Sequence, residues 1–168
     1  MFEYGKSKDF KDIVYARPED IEPNRLKLSD RTVRISTKLE SIIENCISEN
    51  TYYSISGKGT KIMPLIDYGY IVKSYPNQNI NLSDFQKGRN IYISCQRIFG
   101  YLGVGEWMSP NSIAESGKLY MIRERARELS MAPIEYVYSE HIKEVENQFS
   151  CSITRSVYVK KYSEQLNA

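Results

Sequence analysis

The chain has 168 residues, a length that suits one domain or one domain with an added arm. Hydrophobic residues make up 41% of the sequence and charged residues 26%, which excludes a globally disordered protein because enough apolar surface is present to form a core. The formal net charge of +2 is too small to require a nucleic-acid partner, although it allows a local basic patch.

The sequence also bears on where the protein resides. No apolar run approaches the ~18 residues that a membrane span needs, and the first residues lack the apolar segment of a signal peptide. The three cysteines, Cys46, Cys95 and Cys151, form no Cys-x-x-Cys pair and lie among apolar residues, which predicts buried thiols in a reducing compartment. We therefore expect an intracellular protein that is soluble or peripheral at a membrane.

Residues 1–30 are predicted to form an extended N-terminal arm, and residues 31–168 a single α+β domain. The first segment has weak hydrophobic periodicity, and Pro18 and Pro23 each fix φ and push the preceding residue towards extended geometry. Such an arm can lie over its own domain as a strap, or it can dock on a neighbouring subunit. For the second case the candidate self-association residues are Tyr15, Pro18 and Pro23.

The first half of the domain is predicted to contain a strand, a helix and a hairpin. Alternating apolar residues predict a half-buried strand in residues 31–36. A helix should follow from Thr37, which forms a capping-box pattern with Glu40. Its apolar stripe is expected in the core and consists of Leu39, Ile42, Ile43, Cys46 and Ile47. Two strand-like runs then flank residues 57–59, where Gly59 suits the left-handed position of a hairpin loop.

The second half is predicted to mix strands and helices. Period-two alternation predicts one strand in residues 90–99 and a final strand in residues 151–161. Between them, Ser112 and Glu115 form a second capping-box pattern at the start of a helix, while residues 118–123 suit either a helix or a strand.

A further short helix is predicted after Ser139. Its apolar face consists of Ile142, Val145 and Phe149. Together, these elements favour an α+β fold with a mostly antiparallel sheet, about three helices and the extended arm.

Residues 57–60, Gly-Lys-Gly-Thr, are the segment most similar to a phosphate-binding loop. They do not form a Walker A motif, because that motif ends in Gly-Lys-[Ser/Thr] and opens a helix, whereas more strand-like sequence follows here. Lys58, at the tip of the predicted hairpin, can still contact a phosphate backbone or an acidic lipid. The glycines in residues 100–105 likewise lack the spacing of a dinucleotide-binding fingerprint.

His141 is the only histidine, and no Gly-x-Ser-x-Gly motif accompanies it. We therefore predict an exposed, non-catalytic histidine, and a single histidine also argues against a zinc or non-haem iron site. A pairing with a cysteine nucleophile and a carboxylate cluster for a metal stay open, because such groups meet only in the fold. The sequence thus predicts no catalytic residue, no metal, no cofactor and no small-molecule substrate.

Residues 118–127 carry a local excess of positive charge. Four cations stand against Glu124, and they are Lys118, Arg123, Arg125 and Arg127. With Lys58, they are the candidate contacts to nucleic-acid phosphate or to membrane lipid headgroups. The alternative is a solvated surface whose charges pair with nearby carboxylates.

The order of elements in residues 30–72 resembles the first half of the core of rhabdovirus matrix proteins. The shared features are a proline-marked arm, the strand "TVRIS", the helix "LESIIENCIS", the Gly-Lys turn in "YYSISGKGTK" and the aliphatic run "IMPLIDYG". The resemblance implies a non-enzymatic virion protein that self-associates, condenses a nucleocapsid and contacts a membrane. In several members an N-terminal segment docks onto the next subunit, and residues 15–28 would be that segment here.

The hypothesis from sequence is therefore a self-assembling viral structural protein of the matrix type. Its expected partners are further copies of itself, a nucleocapsid or nucleic acid, and an anionic membrane surface. Two alternatives stay open: a small nucleic-acid-binding regulator or inhibitor, and an enzyme with an unrecognised site.

Overall fold

The computed structural model describes residues 2–7, 10–54, 61–74 and 82–167. Within them the chain forms seven α-helices, one 3₁₀ helix and two small antiparallel sheets. The chain divides into two compact units. The N-terminal unit is Lys6–Pro110, and the C-terminal unit combines Met1–Gly5 with Asn111–Ala168.

The N-terminal unit contains both sheets. Its helices are α1 (Lys11–Val14), α2 (Thr37–Ser48) and α3 (Asp84–Tyr101), with the 3₁₀ helix at Pro18–Asp20. Its strands are β1 (Ile21–Glu22), β2 (Arg25–Lys27), β3 (Thr32–Arg34), β4 (Thr51–Ser54) and β5 (Lys61–Pro64). The first three strands form one sheet in the order β1-β2-β3, and β4 pairs with β5 in the other.

The C-terminal unit is helical in the part of it that the structure describes. Four helices follow one another: α4 (Pro110–Glu128, which begins in the last residue of the N-terminal unit), α5 (Pro133–Tyr138), α6 (Ile142–Phe149) and α7 (Arg155–Asn167). Their buried side chains form one apolar cluster that includes Ile122, Tyr136, Val137, Ile142, Val145, Phe149, Tyr158 and Leu166. Burial of these side chains is the main favourable term in folding this unit.

The prediction of a mostly antiparallel sheet with about three helices is wrong. Residues 90–99 lie inside α3, and most of the predicted final strand lies in α7. Helical spacing competes with alternation in both segments. Ile91, Cys95 and Phe99 recur at i, i+4 and i+8 in α3, as do Tyr158, Tyr162 and Leu166 in α7. The alternating residues were therefore compatible with either period, and the length of the segments favours helices.

The start of α3 was not predicted, and the cap predicted for α2 is displaced by one residue. Helix α3 begins with a capping box in which the Ser83 hydroxyl accepts from the Gln86 backbone N–H and Gln86 accepts from the Ser83 N–H at 3.0 Å. Helix α2 covers the predicted residues, but its cap is Ser36, whose Oγ accepts from the Leu39 N–H at 3.1 Å, and not Thr37. Pro133 is the first residue of α5, where its missing N–H costs no hydrogen bond.

Several predicted elements are confirmed. These are the strand at β3, the helix at α2, the antiparallel pairing of β4 with β5, and the apolar face of α6, where Ile142, Val145 and Phe149 are all buried.

The α2 stripe is less buried than predicted, because Ile43 is buried while Ile42 and Cys46 are exposed. Cys95 and Cys151 are half-buried, so the prediction of three buried thiols is wrong. The loop position predicted for Gly59 lies outside the described residues.

Gly117 lies inside α4, and the structure explains why a glycine stands there. The chain near residue 2 crosses this helix so closely that a Cβ on Gly117 would overlap the carbonyl oxygen of Phe2. The neighbouring turn also needs a glycine, because Gly5 has φ +70° and its backbone lies against Phe149. Residues 2–5 therefore pack on α4 and α6 at positions where no larger side chain fits.

A buried ion pair holds α1 to the β2–β3 turn. The Asp12 side chain is 1% exposed and lies 3.3 Å from the Arg31 guanidinium, which is 10% exposed. The Ser7 backbone N–H and hydroxyl donate to the same carboxylate at 2.7 and 2.9 Å. Arg31 also pairs with Asp30 at 2.7 Å, and Asp30 is 48% exposed.

We predict that Asp12→Ala lowers the free energy of unfolding by about 3–5 kcal/mol, because it leaves the Arg31 charge buried without its inner partner. The matched control, Asp30→Ala, removes an exposed partner of the same guanidinium and should cost less than about 1 kcal/mol. Urea unfolding followed by circular dichroism measures both values. Equal costs for the two variants would contradict the assigned role of Asp12.

Two buried tyrosines of the C-terminal unit differ in one hydrogen bond. Tyr136 Oη donates to the His141 carbonyl at 3.0 Å, whereas the buried Tyr158 Oη has no hydrogen-bond partner in the residues that the structure describes. Burial raises the pKa of both phenols, that of Tyr136 to about 12. A buried hydroxyl without a partner costs free energy that a phenylalanine would not.

We therefore expect Tyr158→Phe to leave stability unchanged or to raise it by up to about 1 kcal/mol, and Tyr136→Phe to lower it by about 1 kcal/mol. The raised pKa of Tyr136 predicts that its contribution is complete below pH 10 and is lost as pH rises to about 12. Thermal unfolding of both variants tests the first expectation. A larger loss for Tyr158→Phe than for Tyr136→Phe would show that Tyr158 has a partner in solution.

Candidate phosphate-binding site

The sheet of the N-terminal unit carries a cluster of cations on its outer face. Along β2 and β3 the central residues, Leu26 and Val33, are each 1% exposed and form a cross-strand pair. Because strand side chains alternate, their neighbours point to the opposite side. We call this surface the basic sheet face and define it by its three cations, Arg25, Lys27 and Arg34, all of which are exposed.

The local turns fix the register of these strands. Asn24 adopts φ +60°, which asparagine tolerates better than most residues, and its carbonyl accepts from the Ile35 N–H at 3.0 Å. At the other end, the Leu28 N–H donates to the Arg31 carbonyl at 2.7 Å and closes the β2–β3 hairpin. The buried Asp12–Arg31 pair then anchors this turn. A slip of one residue would turn the cations inwards, so the apolar pair and the two turns together place them outside.

Two arginines of this face lie directly opposite each other. Arg25 and Arg34 are cross-strand partners, and Lys27 is paired with Thr32. Side chains at such positions are about 5 Å apart at Cβ, and like charges there destabilise a sheet. Glu22 of β1 lies opposite Arg25 on its other side, yet no carboxylate of the described chain lies within ion-pair distance of Arg25 or Lys27. The face thus holds two like charges directly opposite each other beside Glu22, and an anion between the strands would offset their repulsion.

A sequence signal for this face exists and was missed. Residues 25–38 hold five Lys or Arg residues and only one carboxylate, Asp30. The Asp30 carboxylate pairs with Arg31, which also pairs with the buried Asp12. The other cations of the segment are exposed: Arg25, Lys27, Arg34 and, in the first turn of α2, Lys38. Sequence reading had divided this segment between the arm and the first strand and so did not count it as one cluster.

The basic cluster predicted in residues 118–127 lies on α4, and most of its charge is paired. Carboxylate partners one turn away hold three of the four cations: Lys118 pairs with Glu115 at 2.7 Å, Arg125 with Glu128 at 2.5 Å, and Arg127 with Glu124. Arg125 also contacts Glu144 at 2.9 Å, and Arg123 is exposed. Lys58 lies outside the described residues. Phosphate or lipid contact by these five residues stays a prediction.

The predicted arm residues lie in the N-terminal unit. Tyr15 donates its hydroxyl to Asp84 and accepts from Lys87 at 3.2 Å, so its side chain packs against α3 of its own unit. Pro18 begins the 3₁₀ helix and Pro23 is exposed between β1 and β2. Residues 1–30 thus contain two strands and two short helices where an extended segment was expected. Docking of these residues on a second copy stays a prediction, as does the domain boundary at residue 30.

His141 is exposed, as the sequence predicted, and its ring stacks on Tyr136 with centroids 6.1 Å apart. In the part of the chain that the structure describes, no group of three His, Cys, Asp or Glu side chains is arranged to bind a metal ion. Nor does any helix there combine the length and the hydropathy required to cross a bilayer.

One comparison with known proteins decides the family. Residues 1–167 match the family model described as "MrpR, C-terminal catalytic domain". The chain belongs to this family. No curated protein sequence matches the chain.

Membership of the MrpR C-terminal catalytic domain family corrects the hypothesis from sequence. The resemblance to rhabdovirus matrix proteins is wrong, and with it the assignment as a viral structural protein. The expectation of a non-enzymatic protein is also wrong, because the family is named as a catalytic domain and so points to an enzyme. The resemblance failed because it used the order of elements in residues 30–72, and a strand, helix and hairpin in that order are common to unrelated folds.

Proposed function

We propose that this chain is the catalytic domain of an enzyme that acts on the phosphate backbone of nucleic acid, which it holds on the basic sheet face. Two findings support the proposal: the family is named as catalytic, and Arg25 lies directly opposite Arg34 on an exposed sheet surface. The second finding carries the choice of substrate, because like charges directly opposite each other destabilise a sheet and a bound anion would offset their repulsion.

The side chains present suit phosphate better than other anions. A guanidinium offers its N–H donors in a planar fork that matches two phosphate oxygens, and bonds of this kind are stronger than neutral ones. Arg25 and Arg34 supply two such forks from adjacent strands, and Lys27 supplies a third cation two residues along β2. Cations spread over a sheet can contact successive phosphates of a polymer. The partner proposed is therefore a polynucleotide.

The same residues can contribute to chemistry. In phosphoryl transfer, negative charge spreads over the equatorial oxygens of the reacting phosphorus, and arginine or lysine side chains fixed beside it lower the barrier. The β2–β3 hairpin fixes its cations through the buried pair beneath it. The residues of the face are therefore assigned to binding and to stabilising charge at phosphorus.

The binding test compares charge-neutralising variants at several salt concentrations. We expect wild-type protein to bind a fluorescein-labelled DNA duplex with salt-dependent affinity, measured by anisotropy. Arg25→Gln should weaken binding and reduce the salt slope by about 1, the value for one lost phosphate contact. The same variant should unfold with an unchanged free energy or one higher by up to about 1 kcal/mol, because it removes a like-charge pair.

Control variants test which surface binds the polynucleotide. Lys143→Gln removes an exposed lysine on α6 of the other unit and should leave affinity and salt slope unchanged. Arg127→Gln and Lys58→Ala test the two places that the sequence predicted. Loss of binding in either of these, with Arg25→Gln behaving as wild type, would move the interface away from the sheet. Salt-independent binding or none to any polynucleotide would refute the proposal.

Catalysis is measured separately on end-labelled single-stranded and duplex DNA and RNA, with and without Mg²⁺. We expect a change in strand length or connectivity, slowed in Arg25→Gln by more than its loss of binding explains. Binding without any such change would remove the catalytic half of the proposal and leave the binding half intact.

A further inference from the structure

A cavity of about 580 Å³ lies within the N-terminal unit, away from the basic sheet face. Its walls come from α1, α3, β4 and the segment after β5. Several lining side chains are also exposed, among them Tyr68, Val72 and Ile98, so the cavity opens to solvent at that side. Its volume lies in the range of sites that bind small organic molecules.

The lining is mainly apolar and aromatic. Four tyrosines contribute to it, Tyr15, Tyr52, Tyr68 and Tyr70, and the rings of Tyr15 and Tyr70 meet edge to face with centroids 5.7 Å apart. Ile91 and Cys95, one turn apart on α3, add aliphatic and sulfur surface. Aromatic walls of this kind favour a planar ring, which can stack or meet their edges.

Among the lining residues that the structure describes, the charged groups are both lysines. Lys73 is 5% exposed and donates to three oxygens, the Ile47 and Glu49 carbonyls and Asn50 Oδ1, at 2.6, 2.8 and 3.2 Å. Its donors are therefore used, and it acts as a fixed positive charge that also lies 3.9 Å from Asp67.

Lys87 differs from Lys73 because its ammonium makes a single hydrogen bond within the described chain. It donates to Tyr15 Oη at 3.2 Å and lies 4.9 Å from the centre of that ring. The nearby Asp84 carboxylate does not line the cavity, and it is paired with Lys11 at 3.0 Å and accepts from Tyr15. An ammonium with donors to spare thus faces a site whose described lining contains no carboxylate.

We propose that this cavity binds a small aromatic molecule that carries one anionic group, with the ring among the tyrosines and the anion on Lys87. The aromatic lining and the volume determine the ring, and the two lysines determine the sign of the charge. The site is separate from the proposed phosphate-binding surface and does not depend on it.

The test uses two fluorescent probes that share an aromatic skeleton. One is 8-anilinonaphthalene-1-sulfonate, which is an anion, and the other is N-phenyl-1-naphthylamine, which is neutral. We expect saturable one-to-one binding of the sulfonate to the folded wild-type chain, with weaker binding of the neutral probe. Lys87→Met should weaken sulfonate binding about tenfold and leave the neutral probe unchanged, because a charge-assisted hydrogen bond is lost.

Matched variants on the same helix separate the cavity from the surface. Arg89→Met removes an exposed cation of α3 outside the cavity and should change neither probe. Ile91→Trp fills the cavity and should weaken both probes at least tenfold, whereas Tyr92→Trp, on the exposed side of α3, should not. Equal affinity for the two probes, or sulfonate binding that survives Ile91→Trp in a folded protein, would overturn the proposal.

A second readout needs no cavity-filling variant. Burial raises the pKa of the Cys95 thiol, so we expect slow alkylation by iodoacetamide, while the exposed Cys46 serves as an internal reference. Saturating sulfonate probe should slow alkylation of Cys95 further and leave Cys46 unchanged, as measured by peptide mass spectrometry. Equal rates at Cys95 with and without the probe would contradict binding in this cavity.

Discussion

The buried pair of Asp12 and Arg31 is the interaction on which the N-terminal unit depends. It places a carboxylate from α1 beneath the β2–β3 turn and takes up the one arginine of that turn that points inwards. Two hydrogen bonds from Ser7 satisfy the same carboxylate. Because a charge buried without partners is costly, each of these groups constrains the position of the others. A short helix and a three-stranded sheet of small size are thereby fixed to each other.

This arrangement lets a chain with a net charge of only +2 expose three cations on one sheet face. The carboxylates of Asp12 and Asp30 pair with Arg31, and Arg25, Lys27 and Arg34 lie on the exposed side of the sheet. Nucleic acid is attracted by local charge density and the release of its counterions, which depend little on the total charge of the protein. The average composition therefore hid the feature that the fold displays.

Sequence reasoning recovered the elements whose signals were local. The α2 helix, the β3 strand, the β4–β5 pairing and the apolar face of α6 each follow from periodicity within one short segment. It failed for α3 and α7, where period-two and helical patterns coincide and only the rest of the fold selects between them. The reason for Gly117 is also non-local, because a Cβ there would overlap the backbone of residue 2, over a hundred positions away.

The candidate sites also divide into features with a local sequence signal and features that form only in the fold. Counting charges over residues 25–38 would have found the basic sheet face from sequence, once those residues were seen as one hairpin. The pairing of Arg125 with Glu144, on a different helix, could not have been read from the sequence. The cavity is similarly non-local, because Tyr15, Tyr52 and Lys87 are far apart along the chain and meet only when α3 packs on α1.

The packing of residues 2–5 on α4 and α6 has a consequence for how the protein is made. The C-terminal unit consists of Met1–Gly5 and Asn111–Ala168, so the N-terminal unit is in effect an insertion between residues 5 and 111. During synthesis, Lys6–Pro110 can fold as soon as it has left the ribosome. Residues 2–5 contact both the Gly117 backbone and Phe149, so their packing is complete only after α6 has been synthesised, more than a hundred residues later.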